Sequence, residues 1–480
     1  MKRYRFSGRG VILVTMGVLL FMNTPVLGFD GDWSVQATNS FEYYHMKENV
    51  GFPFGAQDAK EDSLRNRMIV DFLFGDFYAG LWFEMAPTGA FSTSQFKEET
   101  ELRQRYFGWH QNGLEVRGGH FNTTFDRGLV LNAFFDDYAN VSRTIDGIKA
   151  DYTSELVNGQ IVGGEIFDES TGDSLSIRGG RAALTPFGLF QLGGAYLRLW
   201  ERNFLGDLKS TNVKQGNLGV TFGPLDLYAE YAQQGGYLNA MLPVEGDASY
   251  LSGSFYGPFF GLTAEYKNYI HMQIPGVNSP PAVNHFDKSL SGGWNEIGWR
   301  AAVTLTPYGS WSLDMDWANS WTRGVGGIFD EQFVELRGNY YRDNIFRASY
   351  DRHKEHDHLE HWSDFSIYYY LTRRTTATMT VLHKKYEDTF AKDYYEGDLT
   401  LGLSHANFIS INLTGGRHSQ LAQFRELPEK TASVEVTLKF RNNDLTVFHG
   451  DQRGGLVCSS GVCVDQPPFR GTKVLLLSRF

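Results

Sequence analysis

Alternation is the clearest pattern along the chain. In 432–440 the apolar Ala432, Val434, Val436, Leu438 and Phe440 interleave with Ser433, Glu435, Thr437 and Lys439. The same period runs through 297–305, where Ile297, Trp299, Ala301, Val303 and Leu305 alternate with Gly298, Arg300, Ala302 and Thr304. It recurs in 311–318 and 398–404. Successive side chains on a strand point to opposite faces, so each such segment predicts a strand with one apolar and one polar face. Over 151–164 and 189–200 the alternation is weak, and strand limits there are the hardest to place.

The connections between these segments separate a barrel from a soluble sandwich, which would show the same alternation. Tight turns rich in Gly, Pro, Asn and Asp are readable at 75–76, 111–113, 186–188, 223–224, 257–258, 307–309, 342–344 and 442–444, with two more at 373–374 and 405–406. Longer polar connections fall at 47–63, 88–99, 122–143, 202–209, 236–246, 271–292, 418–429 and 451–469. Short and long connections take turns along nearly the whole chain. This predicts an all-β fold, a transmembrane antiparallel up-and-down β-barrel of about 24 strands (roughly 22–26), with short periplasmic turns and longer external loops. An even count returns both termini to the same side.

The two ends of the sequence support export and insertion. Lys2, Arg3, Arg5 and Arg9 precede an apolar run over 11–22, and a helix-breaking stretch ends in small residues at Gly28. That is the layout of a cleaved signal peptide over 1–28, leaving 29–480 as one barrel domain. The apolar run is shorter than the ~20 residues a spanning helix needs. At the other end, Phe480 closes an amphipathic segment in which Val474 and Leu476 keep the alternation and Ser478 departs from it. A terminal Phe on such a strand resembles the signal read by the barrel-assembly machinery, an expected partner alongside outer-membrane lipid. The expected location is the bacterial outer membrane.

Composition narrows the partners further. The formal charge is −11, and removing the four basic residues of the N-terminal segment takes it to −15. Nucleic acid binding would call for a basic face. The chain is 15% aromatic and carries 53 Gly, yet after the N-terminal segment it has no apolar run long enough for a spanning helix. A barrel reconciles these facts, because only alternate residues face lipid.

The polar face holds the main candidate chemistry. Asp226, Glu230, Arg300, Asp314, Asp316, Glu335, Arg337, Arg347, Asp351, Glu435 and Lys439 lie opposite the apolar stripe. A Lys or Arg facing lipid at the midplane costs about 2–4 kcal/mol, so these groups are expected to face the lumen and line a solute path. The connection from His120 to Arg143 mixes Asp126, Arg127, Asp136, Asp137 and Arg143 with Leu129, Val130, Leu131, Phe134 and Phe135. Apolar residues in an external loop imply that it folds inward and narrows the bore. His353, His356, His358 and His361, read as an external loop, form a weak metal candidate, since imidazole and carboxylate suit zinc or copper. Cys458 and Cys463, the two cysteines, are expected to close a small disulfide in the last external loop. Tyr340–Tyr341 and 368–370 suit an interfacial aromatic girdle. No Ser–His–Asp arrangement stands out, so neither an enzyme nor a cofactor is expected.

Residues 64–167 resemble an uncharacterised family of bacterial outer-membrane barrel proteins of unknown function. The likeness rests on the order and spacing of Leu64-Arg65-Asn66-Arg67, the 79–84 segment, Gly118-Gly119-His120-Phe121, 127–131 and 145–148. Arg453-Gly454-Gly455 with the Cys458–Cys463 stretch continues it. The resemblance implies a barrel and an outer-membrane location, and brings no functional residues with it. The expected function is therefore a porin-like pore or substrate-selective channel for small polar solutes. The alternative is a surface-exposed binding or assembly-partner protein that uses the barrel as an anchor.

Overall fold

The computed structural model describes residues 33–46, 62–86, 99–136, 141–168, 173–202, 208–238, 242–272, 274, 277–278, 280–285, 294–324, 328–340, 344–388, 393–419, 430–452, 455–459, 462–466 and 469–480. The signal peptide expected over 1–28 lies outside these residues.

Twenty-four antiparallel strands form one sheet. Chain neighbours pair throughout, and the first strand, Trp33–Met46, pairs with both Asp62–Phe74 and the last strand, Phe469–Arg479. The sheet is thus a closed barrel, which leaves no unpaired edge. Strands run from 8 residues in Leu114–Phe121 to 15 in Leu208–Phe222. Two-residue turns such as Gly75–Asp76 and Asn112–Gly113 gather at one end, and the longer connections gather at the other.

The two faces of the wall divide as the alternation dictates. Leu218, Leu251, Leu262, Trp299, Leu399, Leu401 and Leu403 are exposed on the outer face. Glu230, Lys267, Glu296, Asp316 and Glu335 are buried on the inner one. Wall side chains fill the bore only in small barrels, and with many more strands than eight a lumen is left. Here the chain itself fills part of it. Segments after Phe121 and after Ile270 turn inward, burying Phe125, Leu129, Val130, Leu131, Met272 and Val277 against inward-facing Ile166, Ile177, Leu197, Val213, Ala248 and Tyr250. The larger cluster of buried apolar side chains thus sits inside the barrel, along one part of its circumference.

Two connections differ from the sequence reading. At 236–246 the strands Leu225–Leu238 and Leu242–Tyr256 stay paired up to Leu238 and Leu242, so the expected long loop is short. Gly236, at φ +146°, lets this strand lie close against Leu208–Phe222 on its other side, since a Cβ there would meet the Ser210 carbonyl at 2.5 Å. The histidine-rich loop is likewise a tight hairpin. Strand Asn344–Glu355 turns through His356 and Asp357 directly into His358–Thr372, and the pairing runs to Glu355 and His358.

Candidate functional site: a half-filled lumen

The inward segment begins where Phe121 and Ile145 face each other on adjacent strands. Thr123 Oγ1 donates to buried Gln160 at 2.9 Å. Asp126 accepts from Arg181 Nη1 at 3.0 Å and from Gln215 Nε2 at 2.7 Å, and the Arg127 guanidinium lies 5.1 Å from the Tyr228 ring centre. Tyr228 in turn donates to Glu230 at 2.7 Å. Asp126 and Arg127 also border a cavity of about 340 Å³ beside the 185–191 turn, so the segment descends from the loop end almost to the turn end. The chain climbs back through Leu131 and crosses the second inward segment. There Asn132 N–H donates to the Val277 carbonyl at 2.8 Å, and Asn278 Nδ2 donates to the Leu129 carbonyl at 2.9 Å.

Of the five residues expected at a constriction, Asp126 and Arg127 lie apart from Arg143. Asp126 and Arg127 sit near the turn end, whereas Arg143 lies 5.7 Å from the Phe134 ring, just before the strand Ile145–Thr153 begins at the loop end. Asp136 belongs to a two-residue pairing with Val141–Ser142, and its side chain, like the whole of Asp137, lies outside the described residues.

The second inward segment was absent from the candidate residues, and a buried ion pair anchors it. Lys267 donates both to the Ala282 carbonyl and to Glu296, and neither charged side chain is exposed. Tyr269 Oη donates to the Pro281 carbonyl at 3.0 Å. His285 N–H donates to Glu331 at 2.8 Å, and its ring stacks on Phe333 with centroids 3.8 Å apart. Burial holds the His285 imidazole below the ordinary histidine value, with Arg300 acting in the same sense and Asp316, Asp351 and Glu335 opposing it. Met272, Ile274 and Val277 in a connection taken as polar were the available sequence signal.

Charged residues on the inner face are largely engaged with one another. Arg300 bridges Glu265 at 2.9 Å and Asp316 at 2.5 Å, and Glu335 binds both Arg337 and Arg347. Asp226 accepts from Thr221 at 3.1 Å and Asp314 from Thr304 at 2.6 Å. Asp351 meets His353 at 3.3 Å, and Glu435 accepts from Asn412 at 3.3 Å. Lys439 stands opposite Asp444 in the strand register. A further group, outside the sequence candidates, joins Glu84 to Arg65 at 2.6 Å and to Arg103 at 3.0 Å.

The histidines do not gather. His353 is on the inner face between Asp351 and Glu360, while His361 is on the outer face beside Tyr350. His356 forms the turn and His358 starts the next strand. Among the described residues no group of three or more His, Cys, Asp or Glu is arranged to hold a metal ion. Cys458 and Cys463 face each other in an antiparallel ribbon formed by Gly455–Ser459 and Val462–Gln466. Their side chains lie outside the described residues, among which there is no disulfide.

Another part of the wall is accessible among the described residues. Along Thr375–Asp388, Tyr394–His405, Ile409–His418, Lys430–Phe440 and Asn443–Gln452 none of the described residues is buried. A cavity of about 420 Å³ lies against this wall, bordered by Asp398, Ser433, Glu435, Phe448 and Lys473 among others.

Comparison with curated proteins gives no match. Among solved structures, similar chains include the translocation pore of the P pilus usher PapC, with a TM-score of 0.49 and 10% identity over 93% of this chain and 99% of that one. The siderophore receptor PirA from Pseudomonas aeruginosa has a TM-score of 0.48 and 8% identity over 93% of this chain and 80% of that one. OpdK from Pseudomonas aeruginosa, solved with vanillate, has a TM-score of 0.44 and 12% identity over 74% of this chain and 99% of that one. The sequence model of a family of unknown function, DUF6029, matches residues 9–287, more than half of the chain, and the protein belongs to that family.

Proposed function

We propose that the protein is a channel of the bacterial outer membrane for small polar solutes, its bore set by the unfilled sector of the lumen. The observation carrying this reading is the asymmetry of the wall. One part packs against the inward segments, whereas five successive strands from 375 to 452 keep every described residue accessible. An exposed apolar outer face suits lipid and a polar inner face suits a water path. Phe480 exchanges backbone hydrogen bonds of 3.1 and 2.8 Å with Ala37 where the barrel closes, and we propose that assembly machinery engages this C-terminal strand. Purified mature protein in planar bilayers is expected to give steady ohmic conductance steps. Silence from folded, heat-modifiable protein would overturn the channel and favour a surface-binding role.

We infer also that Cys458 and Cys463 form a disulfide in the exported protein. Directly opposed residues of an antiparallel pair have Cα atoms about 4.5–5.5 Å apart, within the range a disulfide spans. Denatured but unreduced protein is then expected to resist alkylation, and reduction should release two thiols. Alkylation without reduction would refute the bond.

A further inference from the structure

We infer that the open sector of the lumen is a binding track for neutral polyhydroxylated solutes, that is, sugars. This rests on the channel reading and gives it a substrate class. The register places Thr380, Thr400, Thr414 and Ser433 side by side on four adjacent strands. Register partners share a face, and with strands about 4.8 Å apart these four hydroxyls form a row roughly 14 Å long. Buried Ser366 closes one end of the row, its hydroxyl 3.3 Å from Thr380, and Thr400 and Thr414 lie within 2.9 Å of each other. Nearer the turn end a second row runs through Thr376, Ser404, Ser410, Thr437 and Thr446, with 3.0 Å between the last two hydroxyls. Between the rows lie Thr378, Gly402, Asn412, Glu435 and Phe448. Among these positions on the strands from 375 to 452 Glu435 is the only ionisable side chain, and Lys473 adjoins them as the register partner of Phe448.

This composition discriminates by chemistry. A hydroxyl donates and accepts, and it rotates to suit its partner. Rows of them can exchange hydrogen bonds with the hydroxyls of a passing sugar in many positions, at little cost in orientation. An ion gains no counter-charge from them to offset the loss of its water. The adjoining wall, where Arg347 is the register partner of Ser366 and Arg300, Glu335, Arg337 and Arg347 are engaged in pairs, has the reverse character.

The cavity against this wall supplies the other half of a sugar site. The Phe448 ring, backed by Phe469 at 6.1 Å, offers an apolar surface for the C–H face of a pyranose. Asp398, Glu435 and Gln452 on the same lining supply acceptors for its hydroxyls. Asp451 is already neutralised by Arg470 at 2.5 Å, which limits the pull of the site on free cations.

The test uses the full mature chain in two formats. In proteoliposomes, glucose and maltose are expected to enter faster than gluconate or lysine of comparable size. In planar bilayers, maltohexaose should reduce the open-channel current in a saturable way. Losing one or two hydroxyl contacts in T400V/T414V, or the ring in F448A, should raise the half-blocking concentration roughly threefold to tenfold. T400S/T414S keeps the hydroxyls and should retain the block, which separates chemistry from a folding defect. Ohmic conductance with no maltohexaose block and equal entry of charged solutes would overturn the sugar track and leave the channel intact. Strong cation selectivity without block would overturn it in favour of cations. Absent conductance with saturable quenching of tryptophan fluorescence by maltohexaose would refute the channel and uphold the binding track.

Discussion

Lys267 and Glu296 are a fully buried pair whose ammonium also holds the Ala282 carbonyl, so one side chain pins the second inward segment to the wall. Removing one member of a buried pair strands the other charge, at a cost of about 3–5 kcal/mol. Lys267→Met is expected to lose that much in urea unfolding followed by tryptophan fluorescence, and Lys267→Met with Glu296→Leu to recover a large part of it. A neutral single variant would mean that Glu296 is solvated in the membrane-embedded protein. His285 acts at the same anchor through its charge. Burial against Phe333 keeps it neutral when docked, although the carboxylates of Asp316, Glu331, Glu335 and Asp351 lie around it beside Arg300. Undocked, it would return to a value of about 6.5. Its docked value is the lower one, so docking is complete above about pH 6.5 and weakens as pH falls through the docked value. Current fluctuations should therefore grow between pH 7.5 and pH 5, and His285→Phe should abolish the change. Quieter channels at pH 5 would show that the carboxylates outweigh burial.

At the level of elements, Gly119 shows how tightly the inward segment is aimed. Its φ is +93°, and a Cβ there would sit 2.2 Å from the Arg105 carbonyl. Gly119→Ala should therefore disturb the pairing of Glu99–Gln111 with Leu114–Phe121 just before the chain turns into the lumen. It is expected to slow the shift to the heat-modifiable form in refolding assays, whereas Gly216→Ala, with open space around it, should not. The strands themselves were legible because lipid outside and polar groups inside impose a period of two. Where that period faded, over 151–164 and 189–200, the structure supplies the reason. Val162, Leu197 and Leu199 face inward onto the buried segments, while Ile161 and Leu192 face out. Both faces are apolar there, so alternation disappears although the strands remain. The weak pattern was itself the imprint of a packed lumen. The 122–143 segment announced itself through Leu129, Val130 and Leu131, but its partner after Ile270 did not, since Met272, Ile274 and Val277 are spread among prolines and polar residues. The hydroxyl rows were invisible for another reason. Each Thr or Ser is unremarkable on its own strand, and only register sets five of them side by side.

For the whole molecule, filling and conduction compete for one cross-section. The inward segments cover apolar wall that would otherwise meet water, and each Å² of apolar surface kept dry is worth about 25 cal/mol. They also occupy space through which current would flow. Replacing 123–143 with a short Gly-Ser link is therefore expected to raise single-channel conductance and to lower the unfolding midpoint together. It should also weaken maltohexaose block, because a second path then runs in parallel with the hydroxyl rows. A milder disturbance aims at the tip alone: Arg181→Glu with Gln215→Glu sets two carboxylates against Asp126, which now accepts hydrogen bonds from both positions. Repulsion there should loosen the tip at the turn end while Asn132 and Asn278 still tie the segment higher up, giving a smaller conductance rise than deletion. Conductance unaltered by either change, with the barrel still folded, would place the narrowest point of the path outside the filled half of the lumen. The open wall would then set the bore by itself.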